Sequence, residues 1–459
     1  MLGPLTGDQG MNKRDVVIIG GGPAGRVIVH ALHAAGADMS ITLIKDEAVN
    51  VNRCAVPYGI PEGKPLEKYD IPNKLVTNFG AELIIDTVDK LDPERNLIQT
   101  REGREFEYSN LVLATGSRAL IPPIPGIEGN RITGVRSRDD LALLRQWAKT
   151  SKKALIVGGG YIGIEVAVVL RRMGLEVTVV EMLPHILSAT TEPEFIKVAE
   201  NDLREHGLNL VTGSAVEEFL LNNDGVFTGV RLQNGEIIDA DFAAVAIGVI
   251  PNSELAAQAG LATNRMGIVV DDFLRTAYPN IYASGDCAVK KSFITGEPTR
   301  GEFGTNAVFM SKVVAANILG EEKKFPGVIN ANCSTSFTCA FGSAGLTEKQ
   351  AQEQGMDVIS GTSEVLSAYP VMDEAKPVLT KLVFERQSGR LVGGSVLRRD
   401  HATAMCVDFI SFAIQMGAGI EDIMTYQYAT HPELAAKPSD DIYLFAARDA
   451  LKKRQLQAV

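Results

Sequence analysis

The sequence predicts an α/β chain with two doubly wound βαβ units, followed by a separate α+β domain. Three observations predict it. First, an apolar run, a glycine cluster, an amphipathic stretch and a β-branched run occur in that order at residues 15–46 (DVVIIGGGPAGRVIVHALHAAGADMSITLIKD). Second, the same order returns at residues 154–182 (ALIVGGGYIGIEVAVVLRRMGLEVTVVEM), which makes β-turn-α-β twice over. Third, the texture changes near residue 331, where SFTCAFGSAGLTEKQAQEQG, KLVFERQSGRLVGGSVL and a helical stretch at 402–417 read as an α+β domain. The segment RQSGR at 386–390 lies between apolar runs and reads as a hairpin turn.

Composition bounds the function. The 459 residues carry a net charge of −11, which argues against a general affinity for nucleic acid or anionic membranes. A hydrophobic fraction of 45% builds large cores, and no apolar run reaches the length of a membrane span. The first ten residues lack a basic region followed by an apolar core, so no secretory signal is expected; Met11 is an alternative start. Five cysteines (Cys54, Cys287, Cys333, Cys339, Cys406) form neither a disulfide framework nor a CxxC pair, and no Cys/His cluster has zinc spacing. No metal is expected, and a reducing cytoplasm is the expected compartment.

Each glycine cluster has a mechanical reading. Gly20-x-Gly22-x-x-Gly25 follows a strand and opens a helix. In that setting the first glycine allows the tight turn, the second lets the backbone approach a pyrophosphate, and the third lets helix and strand pack closely. Gly158-x-Gly160-x-x-Gly163 repeats the arrangement, so two dinucleotides are expected. After the second cluster, Glu181 ends the next strand, where a carboxylate can accept from both ribose hydroxyls and repel a 2′-phosphate. NADH is therefore favoured, with NADPH as the alternative; His185 is the residue that could meet a phosphate. After the first cluster Lys45 occupies the equivalent place, with Asp46 and Glu47 next; Asp46 is the ribose candidate carried forward. Between the units, NLVLATGSRALIPPIPGI (110–127) ends an apolar run in Thr115-Gly116 and continues into prolines, which suits an interdomain crossover. DFAAVAIGVIPNSELA (241–256) reads as a second crossover, and NIYASGDCAV (280–289) ends another apolar run in Gly285-Asp286.

Residues 15–330 resemble the FAD- and NAD-binding halves of the flavoprotein disulfide reductase superfamily, through GGGPAG, LVLATGSRALIPPIPG, GGGYIGIE, IGVIPN and IYASGD. The resemblance implies that the first unit binds FAD, with Gly20, Gly22, Gly25, Asp46, Thr115, Gly116 and Gly285 at the cofactor and Asp286 on the ribityl chain. It implies that the second unit binds NAD(P)H through Gly158, Gly160, Gly163, Glu181 and Gly248, with Glu165 close to flavin and nicotinamide. The implied segments are 11–122 and 251–330 for the FAD-binding domain, 123–250 for the inserted NAD(P)H-binding domain, and 331–459 for a dimerisation domain, hence a homodimer.

Cys54, in NVNRCAVPYGI, lies where the superfamily carries its redox cysteine, at the start of a helix facing the flavin. Two-cysteine members carry C-x4-C there; this chain has Gly59 in the second place, so the internal disulfide is absent. CAVPYGI is most similar to the coenzyme A disulfide and persulfide reductases of the single-cysteine branch, which also includes NADH oxidases and peroxidases. A lone thiol cannot store an electron pair as an internal disulfide. It needs a second sulfur from substrate, or oxygen in a sulfenic acid. The expectation is an enzyme passing electrons from NADH through FAD to a CoA disulfide, persulfide or polysulfide at Cys54; the alternatives are a sulfenic-acid oxidase or peroxidase, and a slow redox sensor. The helix start and Arg53 would favour the thiolate. The other four cysteines read as packing residues; Arg398 and Arg399 read as solvated surface, with phosphate binding as the alternative.

In the two-cysteine reductases a His-Pro near the C-terminus supplies a base to the partner subunit, held by a Glu five residues on. His431-Pro432 matches, but Ala436 replaces that Glu. Tyr428-Ala429 partly matches the Tyr-Ala of the CoA-disulfide branch. His431 and Tyr428 are therefore the expected acid–base groups at the substrate sulfur of a second chain.

Overall fold

The computed structural model describes residues 12–456. Met11 as an alternative start, and the last three residues of the polar end LKKRQLQAV, lie outside the described residues. The chain divides into two compact units. The first draws on residues up to Asn52, on Tyr69–Arg118 and on Val249–Val328; the second draws on Arg53–Lys68, on Ala119–Gly248 and on the chain from Ile329 onward.

In the first unit, strand Asn12–Ile19 pairs in parallel with Ile41–Lys45 on one side and with Glu105–Leu113 on the other. Glu82–Ile85 and Ile281–Ala283 extend the parallel sheet, and Val88–Asp92 and Leu97–Thr100 add an antiparallel meander. Val16, Val17, Ile18, Leu43, Ile44, Leu111, Val112 and Leu113 are essentially solvent-free, as expected for strands covered on both faces. Helix Pro23–Ala34 covers the sheet with Ile28, Val29 and Leu32, and helix Gly304–Ile318 packs against it.

In the second unit a five-stranded parallel sheet runs in the order 132–133, 242–245, 153–157, 176–181, 209–212. Helix Tyr161–Arg172 is its crossover, buried through Val166, Ala167, Val168, Val169 and Leu170. A three-stranded antiparallel sheet (216–221, 227–232, 237–239) is joined to it. The C-terminal part is an antiparallel sheet in the order 332–335, 340–345, 391–398, 377–385, 358–366. The hairpin expected at 386–390 joins Pro377–Glu385 to Leu391–Arg398, with Gly389 at φ +75°. Helix Ile442–Leu456 lies so close that a Cβ on Gly361 would stand 1.9 Å from the carbonyl oxygen of Ala446. The stretch expected to be helical near 402–417 is helix Thr403–Gln415.

A buried charge cluster ties the C-terminal sheet to the helix Pro193–Glu205. The Lys381 ammonium lies 3.1 Å from Glu192, 3.0 Å from Glu194 and 2.9 Å from Glu348. Burial pushes the Glu192 carboxyl up while Lys381 holds it down. Asp202 binds the loop 336–339 through the Ser336 hydroxyl and the backbone N–H groups of Phe337 (2.9 Å) and Thr338 (3.0 Å). Arg398 corrects the expectation of a solvated arginine: it is buried and pairs bidentately with Asp400, both bonds at 2.6 Å. No helix among the described residues is long and apolar enough to cross a membrane.

Candidate functional site

In the first glycine loop, Gly20 and Gly25 sit at the tight turn and the close helix approach that their spacing implied. Gly20 sits at φ +120°, and a Cβ there would stand 2.1 Å from the Ala114 carbonyl oxygen. A Cβ on Gly25 would stand 2.1 Å from the Gly20 carbonyl oxygen. Gly22, in contrast, faces nothing within 4 Å, so the open side of the loop is where a ligand's phosphates have room. The Gly285 turn, at φ +81°, closes on the same helix start: its Cβ position is 3.2 Å from the Ala24 side chain and 3.4 Å from Ala307. Asp286 accepts a 2.6 Å bond from the Ser117 hydroxyl. Thr115 and Asn252 clasp each other, the hydroxyl donating to the Asn252 carbonyl (2.6 Å) and the amide to the Thr115 carbonyl (2.9 Å); the Gly116 carbonyl accepts from the Asn252 N–H at 2.9 Å. These residues fit a bound dinucleotide such as FAD.

At the end of the next strand, Lys45 turns inward. It is buried, and its ammonium donates to Asn50 (2.8 Å) and Asn73 (2.7 Å); burial lowers its pKa. Glu47 accepts from the Asn50 amide. Asp46 is exposed and accepts from the Glu47 N–H at 2.9 Å, which leaves it the open carboxylate at the strand end.

The second loop repeats the geometry. Gly158 is at φ +110° with its Cβ position 2.5 Å from the Ala246 carbonyl oxygen, Gly160 faces nothing within 4 Å, and Gly163 would meet the Gly158 carbonyl oxygen at 2.0 Å. Glu181 is fixed by the Gly159 N–H (2.7 Å) and the Leu183 N–H (2.8 Å) at the rim of this loop. Gly248 adopts φ +120° and its carbonyl accepts from the Leu120 N–H at 2.9 Å. His185 lies 3.2 Å from Glu200, which also pairs with Arg204 at 3.0 Å, so the imidazole already faces a carboxylate. Replacing Glu181 by Ala is expected to cut kcat/KM for NADH about tenfold, as a lost charge-assisted bond implies, and to raise the NADPH/NADH ratio. Steady-state assays with both nucleotides check this.

All five cysteines are free, but they are not alike. Cys287 and Cys339 are buried, Cys406 is half-buried with its sulfur 3.6 Å from Arg398, and Cys333 is exposed, which corrects its reading as a packing residue. Partial burial, Asp408 and Glu165 together push the Cys333 thiol up, away from thiolate. Cys54 is the other exposed cysteine. It sits in a 3-10 turn, Arg53–Ala55, that runs into the short helix Val56–Gly59. The expected helix start is there, but four residues carry too little aligned dipole to stabilise an anion much.

Four residues on, Tyr58 is hydrogen-bonded to Glu165, and Glu165 accepts 2.9 Å from the Ser334 hydroxyl. Partial burial and the neighbouring Glu165 carboxylate push Tyr58, whose side chain is still exposed, up to about 12, and burial raises Glu165. Tyr161 of the same helix bonds Asn332. A pocket of ≈ 300 Å³ opens beside Tyr58, lined also by Pro61, Val169, Arg172 and Met173.

Tyr428 and His431 lie on the connection between helices Ile420–Thr425 and Ile442–Leu456. The Tyr428 hydroxyl donates to the Pro438 carbonyl at 2.6 Å. His431 is exposed, and its Nδ1 accepts from the Glu433 N–H at 3.3 Å.

The pyridine nucleotide-disulphide oxidoreductase family model matches residues 14–311, and the dimerisation domain of the same family matches residues 334–441. The chain belongs to the pyridine nucleotide-disulphide oxidoreductases. This oxidoreductase is accordingly an FAD- and NAD(P)H-dependent flavoenzyme that carries a dimerisation domain. It is similar to an NADH oxidase of Methanocaldococcus jannaschii, 32% identical over 95% of this chain and 98% of that one. It is also similar to a CoA-dependent NAD(P)H sulfur oxidoreductase of Pyrococcus abyssi, 29% identical over 86% of this chain and 90% of that one. Among solved structures it resembles an NAD-dependent persulfide reductase from A. fulgidus, with a TM-score of 0.89 and 31% identity over 96% of this chain and 84% of that one. Tyr58 entered the sequence reading only as part of CAVPYGI, without a role, and Ser334 escaped it.

Proposed function

We propose that this oxidoreductase reduces a thiol-linked substrate, of the CoA-disulfide, persulfide or polysulfide class, at the single redox cysteine Cys54. Bound FAD supplies the two-electron chemistry that connects NADH to sulfur. The observation that carries the reading is that Cys54 is exposed, with Gly59 where a partner cysteine would stand. With no partner cysteine at that place, a substrate sulfur is the partner this reading gives Cys54. Cys54, as thiolate, attacks the substrate sulfur and forms a mixed disulfide. Cys333, the other exposed thiol, is held in its neutral form and competes poorly.

The oxidoreductase acts as a homodimer. Helix Thr403–Gln415 exposes Met405 and Phe412, followed by Met416, at 75%, 61% and 68%, an apolar row suited to burial against a second copy. Tyr428 and the exposed His431 of one copy then exchange protons with the sulfur at Cys54 of the other. The domain limits of the sequence reading (11–122, 123–250, 251–330, 331–459) belong to this proposal.

An NADH oxidase among the relatives keeps a second reading in play, in which Cys54 cycles through a sulfenic acid with oxygen or peroxide as acceptor. An NADH-oxidation screen over CoA disulfide, CoA persulfide, glutathione disulfide, polysulfide and peroxide, run without oxygen and then in air, separates them. Fast anaerobic turnover with one of the sulfur substrates is expected. Fast turnover that needs only oxygen would overturn the proposal.

A further inference from the structure

Residues 53–59 form one helical stretch, a 3-10 turn followed by an α-turn. Along this stretch Val56, Pro57 and Gly59 are buried while Cys54 and Tyr58 are exposed, so both present their side chains to the open side. The Tyr58 hydroxyl is held by Thr335 and Glu165, and Glu165 by Ser334; Glu165 comes from the nucleotide-unit helix, and Ser334 and Thr335 from the first strand of the C-terminal sheet. The pocket beside Tyr58 gives a substrate chain room on the open side.

Building on the Cys54 reading, we propose that Tyr58 is a further catalytic residue, donating a hydrogen bond to the sulfur expelled when Cys54 attacks a disulfide, with Glu165 and Ser334 positioning its hydroxyl. The step balances without any co-reactant. The Cys54 thiolate attacks R–S–S–R′, the Cys54–S bond to SR forms, the S–S bond breaks, and its electron pair leaves on R′S⁻. The proton stays on Tyr58, whose raised pKa keeps it a donor and not an acid.

A phenol has one hydrogen, so it cannot serve Glu165 and a sulfur together. An ionised Glu165 captures it. A protonated Glu165 donates to the Tyr58 oxygen and frees the phenol hydrogen for sulfur. The help given by Tyr58, read as the rate for the alkyl disulfide relative to the aromatic one so that Cys54 ionisation cancels, therefore falls as pH rises through the ionisation of Glu165, which burial has moved upward. The titratable and charged groups facing this pair are Cys333 on the strand and Arg172 beside Tyr58, with Asp408 facing Cys333.

The test uses the oxidised holoenzyme without NADH and follows Cys54 adduct formation by quenched mass measurement. Two probes are compared: bis(hydroxyethyl) disulfide, whose alkyl thiolate leaves poorly, and an aromatic nitrobenzoate disulfide, whose thiolate leaves without help. Tyr58→Phe is expected to slow the alkyl disulfide about tenfold or more, the size of a hydrogen bond to a charged group, and to leave the aromatic one nearly unchanged. Glu165→Gln, whose amide donates to Tyr58 at every pH, is expected to lose the alkaline fall. Ser334→Ala keeps Tyr58 but removes a bond to the carboxylate, so the fall moves to higher pH. Equal slowing of both probes, no slowing of either, or an unmoved pH fall in Glu165→Gln and Ser334→Ala overturns the role of Tyr58. Absence of any Cys54 adduct in the unaltered enzyme overturns the Cys54 reading itself.

Discussion

Replacing Cys54 by Ser is expected to abolish turnover of thiol-linked substrates while NADH still bleaches the flavin at close to its normal rate. A serine hydroxyl is a near-isostere of the thiol, but its alkoxide is inaccessible near neutral pH and its bond to sulfur is not reversibly reduced. The loss should therefore be at least about a thousandfold in kcat, of the order seen when an enzymic nucleophile is removed. Stopped-flow flavin reduction and steady-state disulfide reduction measure the two halves separately. Cys333→Ser is the companion, since Cys333 is the other exposed thiol and its ionisation is opposed by Asp408 and Glu165. It should leave both halves intact. Retained disulfide turnover in Cys54→Ser would remove Cys54 from the reaction.

The second large effect is expected at the first glycine loop, where two neighbouring glycines should fail differently. A methyl group on Gly25 would stand 2.1 Å from the Gly20 carbonyl oxygen, a backbone atom that cannot rotate aside. Gly25→Ala should therefore both destabilise the fold and lose FAD, because overpacking of this kind costs about 1–3 kcal/mol before the loop is distorted. A methyl on Gly22 meets nothing within 4 Å in the protein. Gly22→Ala should fold with an unchanged melting temperature as the cofactor-free protein, yet bind FAD about tenfold to a hundredfold more weakly, since the methyl occupies space the pyrophosphate needs. Flavin absorbance per chain after gel filtration, with thermal unfolding of stripped protein, distinguishes the two. Equal melting losses in both variants would mean that Gly22 is structural.

How much of this was legible in the sequence follows the distance over which each feature is specified. The glycine loops are local: strand, turn and helix start lie within about ten residues, so spacing alone placed Gly20 at the tight turn and Gly25 at the close helix approach. Glu181 was legible for the same reason, as the last residue of a strand whose partner loop lies in the same βαβ unit. That Cys54 has no partner in a C-x4-C pair was legible from Gly59 five places later.

The features that escaped are those in which distant segments meet. Lys45 seemed to spoil a ribose site, yet it is drawn inward by Asn50 and by Asn73, twenty-eight residues away, and so leaves Asp46 in the open. Arg398 looked like a solvated cation until Asp400 and the sheet covered it. Cys333 sits among small and apolar neighbours in sequence but at an edge strand in space, which among the described residues pairs only with Ala340–Gly345. The bond from Ser334 to Glu165 spans 169 residues and depends on the C-terminal sheet meeting the nucleotide-unit helix, which no local pattern encodes.

The most direct measurement of the central claim is the mass of the Cys54 peptide after the oxidised enzyme meets CoA disulfide without oxygen or NADH. The account predicts one CoA thiol on Cys54 per chain, released when NADH is added, with Cys333 unmodified. An unmodified Cys54 in an enzyme that still oxidises NADH with CoA disulfide, or an adduct confined to Cys333, would contradict it.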